Sequence, residues 1–170
     1  PTNPVLVKHW AESPVPAWLQ NSELDAALSD YLGLACRLVY SASLQAEDPN
    51  HAASFADAQP LLLTTSASLA ALNERLDETL GMERFRANLV VNNLIADIED
   101  DWKRIRIGAC ELEVSYPCER CVLTTIDPVS LIKHDQKEPL RTLATYRRLK
   151  DGGVGFGINL TVSRIGPIAI

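Results

Sequence analysis

Tyr116-Pro117-Cys118-Glu119-Arg120-Cys121-Val122-Leu123-Thr124-Thr125-Ile126-Asp127-Pro128 sets two thiols and a guanidinium where an alternating run meets a turn. Pro117 favours an extended approach, and Thr124, Thr125 and Ile126 favour leaving as a strand. Cys121 is therefore expected between two extended segments, a firm mount for a soft ligand or a nucleophile. Upstream, Arg106 to Val114 alternates with Cys110 and Leu112 inward, and Gly108-Ala109 marks a hairpin between Lys103–Ile107 and Cys110–Tyr116.

Further strands are expected at Pro4–Trp10, Arg37–Tyr40, Leu61–Thr65, Arg86–Val91 and Val122–Ile126, with a strand pair over Phe156–Ile170. A Pro-rich turn spans Ser13 to Pro16. Helical spacing joins Trp18, Leu19, Leu24, Ala27, Leu28, Tyr31 and Leu32, with Gly33 as the stop. It recurs over Leu69, Leu72, Leu76 and Leu80, where Ser66 is the expected cap and Gly81 the close, and again over Pro139–Arg148. Ser43 to Ala58 reads as a loop. Many short strands that do not alternate regularly with helices favour a mainly β (α+β) fold, a closed or curled sheet with peripheral helices. No clean linker interrupts the 170 residues, so a single domain over 1–170 is expected.

Composition removes several function classes. Apolar residues make up 46% and charged residues 22%, as in an ordinary globular protein, and no run approaches a membrane span. A net charge of −6 argues against general nucleic-acid binding. Cationic side chains are nevertheless concentrated in one half: residues 1–80 hold three Lys/Arg against ten Asp/Glu, and residues 81–150 hold twelve against eleven. That half carries the cysteine pair, so a local anion site is one reading and a salt-bridged surface the other. Four cysteines are too few for a secreted disulfide scaffold and point to a cytoplasmic setting. The chain opens at Pro1 without an initiator Met and carries no signal sequence, which reads as a fragment or processed start.

Several readings of Cys118-x-x-Cys121 stay open on the residues alone. Half a zinc ribbon would need two more ligands, while His9, His51 and His134 are scattered and Cys36 and Cys110 read as core. A thioredoxin-like dithiol needs a helix after the first thiol, where a strand is expected. A structural thiol pair and a reactive or metal-bound Cys121 beside Arg120 are the other two. The acidic run Asp97 to Asp101 reads as solvated.

Taken in order, several segments resemble one family. They are Phe55-Ala56-Asp57 before Pro60-Leu61-Leu62-Leu63, Ser66-x-Ser68-Leu69 with Leu72-Asn73, and Phe85-Arg86-Ala87-Asn88-Leu89-Val90-Val91. Glu99-Asp100-Asp101-Trp102-Lys103, Arg106-Ile107-Gly108, the Cys118–Pro128 stretch, Glu138-Pro139-Leu140-Arg141-Thr142-Leu143 and Phe156-Gly157-Ile158-Asn159-Leu160 follow. The chain resembles the MOSC domain, shared with molybdenum cofactor sulfurases. Within that family it looks like the bacterial reductases of N-hydroxylated compounds and the mitochondrial amidoxime-reducing component.

The resemblance implies a β-barrel-like domain, the molybdenum cofactor as cofactor, and a small N-hydroxylated substrate. It also implies a separate electron-donor protein of the flavin or iron–sulfur reductase class, with no nucleic acid or membrane as partner. At family level it carries an association with pyridoxal phosphate binding. It assigns Cys121 as the molybdenum ligand and catalytic residue, and Arg86, Asn88, Glu119, Arg120 and Asn159 as cofactor contacts, with Asp57 and Ala58 lining the same site. The other function it leaves open is a cofactor or persulfide (sulfur) carrier without turnover of its own. Departures from the family pattern are Ala87 in place of Pro, Ala109 in place of Asp, Glu119 in place of a small residue, and Val129-Ser130-Leu131 without a Gly. An upstream β domain and a final strand are also expected to be missing.

Overall fold

The computed structural model describes residues 3–8, 14–41, 55 and 58–168. The chain divides into two compact units, Pro1–Pro60 and Leu61–Ile170. In the first, β1 (Pro4–Val7), β2 (Val15–Leu19) and β3 (Val39–Tyr40) form an antiparallel sheet in that order, and α1 (Ser22–Leu32) follows β2. The Asn21 side chain accepts from the Leu24 N–H to start α1, and Gly33 closes it at φ 68°. Trp18 and Leu19 are therefore strand residues, not the first turn of the helix. Val15 and Pro16 also join the strand that the prolines suggested was a turn.

The second unit carries the larger sheet. Its strands are β4 (Leu61–Thr65), β5 (Leu89–Val91), β6 (Arg104–Ile107), β7 (Cys110–Glu119) and β8 (Gly155–Arg164), in the order β5-β4-β8-β7-β6. Only β4 and β5 run parallel; α2 (Ser66–Asn73) lies between them in the chain, and α3 (Leu140–Leu143) precedes β8. The architecture is mainly β with peripheral helices, as the strand-rich sequence led us to expect. Register shifts at three places along β7 and β8 curl this central pair, since each extra residue sharpens the local twist.

One core packs on Leu63, Cys110, Leu112, Ile158 and Leu160, all nearly inaccessible, each large aliphatic contributing roughly 1.5–3 kcal/mol. A second gathers Leu72, Phe85, Leu143 and Phe156, where the two phenylalanine rings stack with centroids 4.1 Å apart. Cys110 faces the interior as its even position implied.

Several local expectations fail, most of them for side-chain reasons. Val122–Thr125 is a 3-10 turn, not a strand, because the Thr124 hydroxyl and the Thr125 hydroxyl each donate to a carbonyl three residues back. The leucine pattern from 69 to 80 is not one helix: Asn73 exchanges two hydrogen bonds with the Leu80 backbone and folds the chain back. Its cap is Thr65, whose Oγ1 accepts from the Ser68 N–H, while Ser66 is already helical. Among the described residues after Arg164 no second strand forms; the Pro167 carbonyl instead accepts from the Ala109 N–H at the β6–β7 turn. The acidic run is also not uniformly solvated. Glu99 is fully buried and accepts from Thr65 and Ser68, and Arg147 pairs with Asp97 and Asp100.

Gly157 lies within β8 at φ 77°, and a Cβ there would sit 2.5 Å from the Leu63 carbonyl oxygen. Gly152, at φ 93°, faces open space. Gly152→Ala should cost about 1–2 kcal/mol of conformational strain alone. Gly157→Ala should cost roughly 1–3 kcal/mol more, because the sheet must also part. Urea denaturation of the two variants compares them, and equal losses would show that β8 does not approach β4 this closely.

Candidate functional site

Cys121 is exposed and stands at the junction of β7 with the Val122–Thr125 turn. Its carbonyl accepts both the N–H and the hydroxyl of Thr124, at 3.1 and 2.9 Å, so the backbone at the thiol is tied down while the sulfur stays open to solvent. Thr124 and Thr125 are buried beneath it. The expectation of Cys121 between two extended segments holds only on its N-terminal side, where β7 leads in; on the C-terminal side a tight turn follows. No α-helix begins at either thiol, as a thioredoxin-like dithiol would need.

Arg120 does more than sit beside the sulfur. One terminal nitrogen donates to Cys118 Sγ at 2.8 Å and the other to the Phe85 carbonyl at 2.8 Å. Its backbone N–H donates to the Val154 carbonyl. Cys118 is buried, so the two thiols of the pair have different surroundings: one is held by a guanidinium in the interior and one is open. Arg120 Nε is the one fully buried side-chain nitrogen or oxygen among the described residues with no hydrogen-bond partner.

Phe85 ends a 3-10 turn, Met82–Phe85, and Arg86 closes it in the left-handed conformation at φ 55°, its N–H bonded to the Glu83 carbonyl. A non-glycine residue there carries roughly 1–2 kcal/mol of strain, and such strain concentrates at functional sites. The Arg86 side chain is exposed and makes no hydrogen bond or ion pair to any described residue. Asn88, two residues on, exchanges hydrogen bonds with the Leu62 backbone at 2.8 and 2.9 Å, which leaves its amide NH2 uncommitted.

Leu62 pairs in register with Asn159 on β8, and Asn159 with Tyr116 on β7. Asn88 and Asn159 thus lie in one lateral row of the sheet, with Leu62 between them. Asn159 alternates to the face opposite Ile158 and Leu160. It is 3% exposed, and its amide makes no hydrogen bond to any described residue. A nearly buried amide without a partner is costly in an isolated domain, and a ligand that it binds removes the cost.

Glu119 is exposed, and its carboxylate lies over Gly153, where a Cβ would meet it at 2.5 Å. It makes no ion pair with Arg120, so the acid turns away from the guanidinium. Ala58 is exposed and belongs to the first unit; Asp57 lies outside the described residues, as do His9 and His51. The structure therefore connects Arg86, Asn88, Arg120, Cys121 and Asn159 through one turn and three adjacent strands.

A match to the MOSC domain covers residues 50–170. The chain belongs to the MOSC domain family. Among its relatives, mitochondrial amidoxime reducing component 2 of Macaca fascicularis is 39% identical over 130 residues, covering 72% of this chain and 38% of that protein. The Homo sapiens counterpart is 38% identical over the same length, with the same shares covered. Mitochondrial amidoxime-reducing component 1 of Danio rerio is 46% identical over 93 residues, 55% of this chain and 28% of that protein. The chain spans about two fifths of the length of the first two relatives.

The chemistry of the free groups suits the anionic sulfur-rich metallopterin associated with this family. An open thiol is a soft ligand, Arg86 is an uncommitted planar donor, and Asn159 and Asn88 offer unpaired amide groups. Among the described residues no group of three or more His, Cys, Asp or Glu could hold a bare metal ion.

Two groups that sequence reading passed over hold the loop beyond Cys121. Asp127 Oδ1 accepts from the Val129 and Ser130 N–H groups and the Ser130 hydroxyl, and Oδ2 accepts from Arg84 at 3.0 Å. The Ser130 N–H and hydroxyl hold its pKa below the ordinary 3.8 against an opposing effect of burial, with lesser help from Val129 and Arg84. A carboxylate stabilised in this way supports the loop at and above pH 3.8, and its support fades only as pH falls through the lower folded-state value. NMR titration should show the Val129 and Ser130 amide shifts following a carboxylate whose midpoint lies below pH 3.8; a midpoint at or above 3.8 would contradict the bonding described.

Proposed function

We propose that this chain is the molybdenum-cofactor domain of an oxidoreductase that reduces N-hydroxylated compounds, with Cys121 as the protein's ligand to molybdenum. The carrying observation is that Cys121 stands open beside Arg120, whose side chain reaches back to the turn that presents Arg86, within a chain of the MOSC family. Relatives named for amidoxime reduction support the substrate class.

Each residue then has a definable task. Cys121 holds the metal through sulfur. Arg86, the Asn88 NH2 and Asn159 bind the pterin and its phosphate. Arg120 has both terminal nitrogens occupied, so it supplies positive charge and fixes the mount, and the backbone at Glu119 completes the loop. The cofactor, when bound, supplies the two-electron chemistry. In the net reaction the N–O bond breaks, two electrons and two protons enter, an N–H forms, and the oxygen leaves as water. The electrons come from a separate donor protein of the flavin or iron–sulfur reductase class.

No described helix is long and apolar enough to cross a membrane. All four cysteines are free, which suits a reducing setting; a cytoplasmic location is our reading, while the relatives are named as mitochondrial. The pyridoxal phosphate association has no residue of this chain behind it.

Expression in a host that makes the cofactor tests the assignment by elemental analysis, pterin fluorescence and N-hydroxy reduction with a supplied reductant. Cys121→Ser should lose molybdenum and activity, and Cys118→Ser should keep the metal. Loss of metal only in Cys118→Ser would overturn the ligand assignment. Metal and pterin retained without turnover would favour the cofactor or persulfide carrier, and neither retained by the unaltered protein would favour a non-binding domain.

A further inference from the structure

Cys121 and Arg86 lie on separate segments 35 positions apart in the chain, and neither is itself a strand residue, so the sheet ladder holds their neighbours but not the two residues directly. Two guanidinium contacts join the segments, both at the Met82–Phe85 turn. On the N-terminal side of Cys121, Arg120 reaches the Phe85 carbonyl. On the C-terminal side, Arg84 reaches Asp127. Arg84 is only 10% exposed, which favours a fixed pair over a floating surface one.

Asp127 is well placed to pass that restraint on. Its own N–H donates to the Ile132 carbonyl, its carbonyl accepts from Leu131, and its carboxylate gathers Val129 and Ser130. Residues 127–132 therefore form a closed loop anchored at Arg84. Toward Cys121 the chain is equally stiff, since Ile126 donates to Leu123 and Thr124 to Cys121.

We infer that the Arg84–Asp127 ion pair is a positioning device that sets the Cys121 sulfur against the Arg86 guanidinium. Neither member contacts the cofactor in this scheme; they act through the two groups that do. The inference rests on the proposed roles of Cys121 and Arg86, but its physical content, the spacing of thiol and guanidinium, is measurable without any cofactor. Arg120 holds the near side of the loop and Arg84 the far side, so loss of Arg84 lets the Cys121 turn pivot away from Arg86.

The test uses the full chain from a host that cannot make the cofactor, with Cys121 alkylation or disulfide exchange followed by peptide mass spectrometry. Rates are measured with an anionic aromatic disulfide and with neutral iodoacetamide. A nearby guanidinium speeds the anionic reagent selectively, so the ratio of the two rates reports its proximity. Arg86→Gln sets the floor, an expected fall of ~3- to 10-fold in that ratio.

The charge-neutral double variant Arg84→Met/Asp127→Asn should fall to the same floor, and adding Arg86→Gln to it should lower the ratio no further. Arg84→Lys should recover part of the ratio. Should the double variant fail to fold, Arg84→Gln alone should show the same fall in smaller degree. If both reagents change in proportion, or neither changes, the pair merely braces the fold and the inference is wrong. That failure leaves the molybdenum assignment intact, and failure of molybdenum retention leaves this ratio unaffected.

Discussion

The hydrogen bonds from Arg120 to Cys118 Sγ and to the Phe85 carbonyl are the constraint on which the site depends. They join the end of the longest strand pair to a short turn that no strand holds. Because the acceptor on one side is a buried sulfur and on the other a backbone carbonyl, a planar two-pronged donor fits where a flexible ammonium would not. The arrangement also explains why the two cysteines of the Cys-x-x-Cys spacing differ. Cys118 is the anchor of the arginine, and Cys121 is what the arginine's anchoring presents.

The domain leaves polar capacity unspent in one region. Arg120 Nε is buried without a partner, the Asn159 amide is nearly buried without one, and Arg86 is held in a strained conformation with its guanidinium free. Elsewhere in the same unit the accounts are closed: Glu99 takes two hydroxyl hydrogen bonds, and Arg147 binds two carboxylates. Burial opposes the charge on Arg147, yet the Asp100 hydrogen bond and the neighbouring carboxylates outweigh it and raise its pKa. The contrast between a satisfied polar network and an unsatisfied one separates scaffold from site.

Much of this was legible in the sequence, and for identifiable reasons. Alternation gave β6 and β7, where Ile, Cys, Leu and Val recur at every second position, a continuous apolar run gave β4, and Gly108 marked the β6–β7 turn. The resemblance picked out Arg86, Asn88, Asn159 and Cys121; the sheet register sets Asn88 and Asn159 in one row, and the Arg120 bond to Phe85 links the Cys121 segment to the Arg86 turn. What stayed hidden were side-chain-to-backbone bonds that redirect the chain, such as Thr124 and Thr125 converting a β-branched run into a turn, or Asn73 cutting a leucine repeat short. Glu99 looked solvated because its burial depends on hydroxyls more than thirty residues away. The Arg84–Asp127 pair was invisible for the same reason: a separation of 43 positions leaves no local signature.

The most direct measurement of the central claim is molybdenum X-ray absorption on protein carrying selenocysteine at position 121. If the side chain there grips the metal, a molybdenum–selenium scattering path appears that the cysteine-containing protein lacks. A spectrum containing only sulfur and oxygen neighbours, from protein with full molybdenum content, would contradict the account.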